Sequence, residues 1–200
     1  NPISFKQSII IIFIMLFAYP IAVFLNAIFI AFFNSFSSAV PTSIPIPTNP
    51  FEFFIGMIVV AISPGICEEI MFRGTMVSAY EKLGYSKCIV ITSILFGIFH
   101  FNVLNFIGPT FLGIILSVIL FKTNSIFSSI LGHILNNGIA LTIGYFITKY
   151  SNQIDEFAIN NTYIPESYQI IMSLSYFAII ALISGIVLIR LINLLPVSNN

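Results

Sequence analysis

The chain has 200 residues, 58% hydrophobic and only 7% charged. Soluble domains carry about 25% charged residues, so an ordinary water-soluble fold is excluded. Seven basic and seven acidic residues give zero net charge, and no basic run offers a grip for nucleic acid. The length suits a single membrane-embedded domain, 1–200.

A helix needs about 20 apolar residues to cross about 30 Å of hydrocarbon at about 1.5 Å per residue. Apolar stretches of that kind run 8–33, 51–80, 87–103, 106–121, 124–148 and 168–191. They predict an all-α, polytopic bundle of about six spans, with six to eight as the range. The first run is too long for a signal-peptide core and is expected to be a span. Residues 40–50 contain Pro41, Pro45, Pro47 and Pro50, which predicts an extended loop. In the second stretch, Ser63-Pro64-Gly65 predicts a broken span. There Ser63 would cap a new helix and Pro64 would be its first residue. Ser151–Ser167 is the only polar region of any size and is expected to be an external loop. Within it, Asn160-Asn161-Thr162 fits a glycosylation pattern that is common by chance.

With both termini in the cytoplasm, Lys6, Lys82, Lys87, Lys122 and Arg190 fall inside and only Lys149 outside. That arrangement obeys the positive-inside rule, and its reverse violates it. The expected location is the cell membrane. Low Trp with abundant Ile, Asn and Phe suggests a bacterial plasma membrane.

Few ionisable side chains lie inside the spans: Glu68, Glu69, Arg73, His100 and His133. Each central acid or Arg costs about 2.5–3.5 kcal/mol on insertion scales, so such groups are usually functional. Glu69 and Arg73 are one helical turn apart, in the favourable acid-before-base order, and are expected to pair. Glu68 points about 100° away and is left free to act. Spans of alternating direction bring Glu68, His100 and His133 to similar depth. His133 and Asn137 share a helix face. A carboxylate with an imidazole suits the activation of water, and an Asn amide suits a developing oxyanion. Cys67 and Cys88 have no CxxC or His/Cys spacing and are expected to pack as small apolar residues.

Glu68-Glu69-Ile70-Met71-Phe72-Arg73 resembles the EExxxR motif of the CPBP family (CAAX protease and bacteriocin-processing, or Abi). Phe96-Gly97-Ile98-Phe99-His100 is similar to its FxxxH motif, and His133-Ile134-Leu135-Asn136-Asn137 to its HxxxN motif. The motifs occur in family order on separate spans, within 51–140. With six Glu and two Arg, a shuffled chain would show EExxxR roughly 0.002 times. The resemblance implies an intramembrane endopeptidase like the type II CAAX prenyl endopeptidases. It implies a membrane-associated or lipidated peptide or protein as substrate, the bilayer as partner and no nucleic acid. CAAX processing, bacteriocin maturation and self-immunity are the roles it suggests. Residue by residue, it implies Glu68 as the base that activates water, helped by His100. His133 and Asn137 would be the oxyanion pair, with Glu69 and Arg73 in support.

Cofactor use stays open between none and Zn²⁺, whose ligands would be Glu68, His100 and His133. HExxH is absent. Other readings compete for these residues. Glu68 and Glu69 could be packing satisfied by Arg73, and His100 could sit at a helix end, since Asn102 and Asn105 suggest a turn. Asn136 and Phe96 are expected to be interhelical glue and packing, and Asn26 to cap or glue helices. A proton-coupled transporter uses similar groups, and a non-catalytic immunity or binding protein could keep the motifs as scaffold.

Overall fold

The computed structural model describes residues 1–36, 46–158 and 166–197. Helix α1 (Phe5–Asn34) opens on a capping box: the Ser4 hydroxyl accepts the Gln7 N–H, and the Gln7 side chain accepts the Ser4 N–H. Helix α2 (Pro50–Gly56) is capped by Asn49, whose side-chain oxygen accepts the N–H groups of Phe51 and Glu52. Pro50 takes the first position, where a missing N–H costs nothing. Most of the proline-rich stretch, 37–45, lies outside the described residues.

The helical path then continues without a break in the chain. A π-helical segment (Met57–Ile62) leads into α3 (Ser63–Glu69), a second π segment (Ile70–Met76), α4 (Val77–Tyr80) and a 3₁₀ turn (Glu81–Leu83). The interruption expected at Ser63-Pro64-Gly65 therefore takes the form of a change of helix type. Ser63 is fully helical (φ −61, ψ −51) and makes no side-chain cap, so no new helix starts there. Widened turns accommodate the proline, a device common at functional sites.

Gly84, at φ 91, reverses the chain in a conformation that an L side chain resists. Helix α5 (Tyr85–Ile98) follows. Its 14 residues reach about 21 Å, short of the hydrocarbon thickness. The stretch expected as a span over 87–103 thus ends early, and His100 lies in the turn beyond it. A 3₁₀ turn (Val103–Asn105) leads into α6 (Ile107–Thr123), closed by Asn124 in the left-handed region. Helices α7 (Ile126–Ala158) and α8 (Glu166–Leu194) complete the chain. The polar stretch 151–167 is thus helical at both ends. Its middle, 159–165, with Asn160-Asn161-Thr162, lies outside the described residues.

Among the described residues, five stretches are long and apolar enough to cross a membrane: Phe5–Asn34, Pro50–Leu83, Val103–Thr123, Ile126–Tyr150 and Met172–Leu194. With the shorter α5 they form a multi-pass helical bundle. Helix α1 packs against α6, α7 and α8. The core joins Ile11, Ile14 and Met15 to Leu116, Ile119 and Leu188, while α8 leaves Leu182, Ile183 and Ile189 exposed, as a lipid-facing surface requires. Helices α5 and α6 touch closely: a Cβ on Gly97 would collide with Thr110 Oγ1 and lie 2.9 Å from the Phe106 carbonyl.

Both termini sit at one end of the bundle. Gln7 Nε2 donates to the Pro196 carbonyl at 3.3 Å, the Ser125 hydroxyl donates to the Asn1 carbonyl, and Lys122 Nζ donates to the Ile192 carbonyl at 2.7 Å. The Tyr85 ring lies 4.4 Å from Phe121, which brings Lys82 and Lys87 to the same end. Lys149 is 23 residues into α7, about 35 Å away.

Candidate active site

Helix α3 is held against α7 at Gly65, where a Cβ would lie 2.5 Å from the Ile134 side chain. That close approach presents the two adjacent acids to His133. Glu69 is fully buried and accepts from Arg73 Nη1 at 2.7 Å and from His133 Nδ1 at 2.9 Å, both on Oε1. Arg73 is buried with it, and its Nη2 donates to the Gly113 carbonyl of α6 at 3.0 Å. The guanidinium also stacks 4.7 Å from the centroid of Phe96. Buried charges survive only when paired and hydrogen-bonded. This cluster pairs its charges through Glu69 Oε1, leaves Glu69 Oε2 and Arg73 Nε buried without a protein partner, and ties α3, α6 and α7 into one unit.

The Glu69 carboxylate fixes the tautomer of His133. Its Nδ1 carries the proton, and in the neutral ring Nε2 is left as an acceptor. Nε2 lies 4.0 Å from Glu68 Oε2. That is beyond hydrogen-bond length, but it suits one water between two acceptors. Oε2 of Glu68 is buried and takes no protein hydrogen bond, although the side chain as a whole is 27% exposed. Glu68 and His133 therefore form the reactive-looking pair.

His100 is held differently. Its Nδ1 donates to the Phe96 carbonyl at 2.9 Å, one turn back, which also leaves Nε2 as an acceptor. Phe96, fully buried, touches both imidazoles, its centroid 5.0 Å from the His100 ring and 5.5 Å from that of His133. The sequence places Glu68, His100 and His133 at one depth. Here Glu68 meets His133, and among the described residues no hydrogen bond or ion pair joins Glu68 to His100. Phe96, expected as packing, sets the spacing of both histidines and of Arg73.

Asn137 projects from α7 one turn beyond His133. Its Nδ2 donates to the Val60 carbonyl at 3.0 Å, and its Oδ1 accepts from Asn136 Nδ2 at 3.1 Å. Asn136, expected as glue between helices, instead orients Asn137. His100, His133, Asn136 and Asn137 line a cleft of about 890 Å³ whose other walls come from α1, the α5–α6 turn and α6. Asn26 bridges helices as expected, its Oδ1 accepting the Gly108 N–H at 3.3 Å, and it lines the same cleft. Cys88 is buried as expected, whereas Cys67 is exposed on the outer face of α3.

Among the described residues, no group of three or more His, Cys, Asp or Glu side chains is arranged to hold a metal ion. Glu68 and His133 approach each other, and Phe96 touches both histidine rings.

Residues 50–139 match the family model described as Rce1-like, Type II CAAX prenyl endopeptidase Rce1-like, in agreement with the resemblance carried by the motifs. The EExxxR, FxxxH and HxxxN segments all fall inside the match, while α1 and α8 lie outside it. Neither the curated proteins nor the solved structures yield a match.

Proposed function

We propose that this chain, type II CAAX prenyl endopeptidase-like over 50–139, is an intramembrane endopeptidase that cleaves a membrane-associated or lipidated peptide with water activated by Glu68. The observation that carries this reading is the buried Glu68 Oε2, without a protein donor and 4.0 Å from a His133 Nε2 whose tautomer Glu69 fixes.

A water held by Glu68 Oε2 and His133 Nε2 gives its proton to the Glu68 carboxylate as its oxygen bonds to the scissile carbonyl carbon. The carbonyl electron pair moves onto oxygen. The second N–H of Asn137, whose amide is pinned by Val60 and Asn136, stabilises that charge. As the C–N bond breaks, Glu68 returns the proton to the leaving nitrogen. Glu69 and Arg73 orient His133 without touching substrate. Because His133 is beside Glu68, it takes the water-holding role that the family resemblance assigned to His100. His100 Nε2 then faces the substrate.

In this reading no step passes through a metal. The basic end carrying both termini faces the cytoplasm by the positive-inside rule. CAAX-type processing, peptide maturation and self-immunity all use such a reaction.

The test is cleavage of a lipid-anchored peptide by the purified protein in proteoliposomes. Glu68→Gln should lose about 10²-fold or more of the turnover while the protein stays folded. Equal turnover by the two proteins would remove Glu68 as the base.

A further inference from the structure

Behind His133, four polar atoms have no protein partner among the described residues: Glu69 Oε2, Arg73 Nε, Ser93 Oγ and Ser117 Oγ. Their residues are at most 3% exposed. They gather around Gly113 of α6. Arg73 Nη2 donates to the Gly113 carbonyl at 3.0 Å, while its Nη1 holds Glu69. Ser93, on α5, faces the same glycine, since a Cβ on Gly113 would lie 3.2 Å from Ser93 Oγ. Ser117 follows Gly113 by one turn of α6, and side chains on a helix lean back towards the preceding turn.

The backbone explains why both hydroxyls are orphaned. A serine inside a helix ordinarily donates to the carbonyl about one turn back. For Ser93 that acceptor, four residues back, is the Ile89 carbonyl, which takes the Thr92 hydroxyl at 3.3 Å besides the helical N–H of Ser93. For Ser117 it is the Gly113 carbonyl, which takes Arg73 Nη2 besides the helical N–H of Ser117. A carbonyl oxygen has two lone pairs, so both acceptors are full.

Buried polar atoms without partners are costly, and a bound water is the usual remedy. This set is balanced for one. Arg73 Nε–H can only donate, the Glu69 carboxylate can only accept, and each hydroxyl does either. A water that accepts from Arg73 and one serine can donate to Glu69 and the other.

We propose that Ser93 and Ser117 hold a buried water against Arg73 Nε and Glu69 Oε2, and through it set the pose of the Glu69–His133 pair. The water site stands apart from the peptidase reading; only its kinetic consequence rests on that reading. Glu69 Oε1 serves Arg73 and His133 together, so a water on Oε2 fixes the plane of the carboxylate. That plane directs the His133 ring, whose Nε2 lies towards Glu68. Ser93 and Ser117 are thus positioning residues that never touch substrate.

The experiment compares the full chain with Ser93→Ala, Ser117→Ala and the double variant. Thermal unfolding in detergent is measured beside cleavage of a lipid-anchored peptide in proteoliposomes. Each single variant should unfold about 2–4 °C lower. The double variant should fall short of the sum, because either change releases the same water. Unchanged or higher midpoints would overturn the site, since deleting an idle buried hydroxyl removes an unpaired group at no loss. Strictly additive losses would overturn it too. Per folded molecule, each single variant should lose about tenfold in kcat, with KM held within about twofold. Lowered midpoints with wild-type kcat would overturn the positioning role. A wild type that cleaves nothing would remove the peptidase reading, while the midpoints alone would still decide the water site.

Discussion

Asn137 on α7 donates its side-chain amide to the main-chain carbonyl of Val60, 3.0 Å away. In a regular helix that carbonyl would take the N–H of the residue four positions later. That residue is Pro64, which has none. Val60 lies in the π-helical segment, whose carbonyls look five residues on, so the proline removes only the α-helical competitor for the acceptor that anchors the amide assigned to the oxyanion.

Pro64→Ala should restore a competing N–H to Val60. The helix should hold or gain stability, because proline is unfavourable inside a helix by up to about 3 kcal/mol. Turnover should nevertheless fall, as Asn137 loses its fixed partner. Thermal unfolding in detergent and cleavage rate, measured together, check this; a variant both more stable and fully active would contradict it.

Arg73→Met removes the guanidinium from the buried Glu69 carboxylate. The expected loss is about 3–5 kcal/mol, the usual cost of a buried charge left without its partner. Adding Glu69→Gln should recover part of that loss, since the remaining polar group is then neutral. A double-mutant cycle on unfolding midpoints reads the coupling, and additive effects would deny that the two act as a pair.

Gly97→Ala tests the contact that places His100. The added methyl meets Thr110 Oγ1 and the Phe106 carbonyl, and backbone cannot swing aside. Overpacking of this kind costs about 1–3 kcal/mol. Here it should also displace the α5–α6 turn and raise KM more than it lowers kcat. Gly84→Ala, at φ 91 and with open space around it, should lower stability by about 1–2 kcal/mol through backbone strain alone. Its kinetics should stay unchanged.

Phe96→Leu keeps an apolar side chain but withdraws the ring that touches His100, His133 and Arg73. Stability should fall by about 1–3 kcal/mol, and turnover should drop further than that loss of folded protein accounts for. Cleavage per folded molecule is the quantity to measure. An unchanged value would return Phe96 to a packing role.

Dialysis against a chelator should leave cleavage intact, because among the described residues no three acid, imidazole or thiol groups are arranged to hold a metal ion. Loss of activity that returns on adding Zn²⁺, but not Mg²⁺, would reverse this.

Much of this was legible without coordinates. A charged fraction of 7% and repeated long apolar runs leave a lipid-embedded helical bundle as the outcome, since only such a bundle satisfies its backbone in hydrocarbon. The four-residue spacing of Glu69 and Arg73 announces their pairing, because helical geometry is local. What neighbours a side chain across the bundle is not local. The meeting of Glu68 with His133, the contact of the Phe96 ring with both imidazoles, and the Val60 carbonyl under Asn137 all depend on how helices rotate and approach. Contacts such as Gly65 on Ile134 and Gly97 on Thr110 set those rotations, and packing between distant segments leaves no periodic trace along the chain.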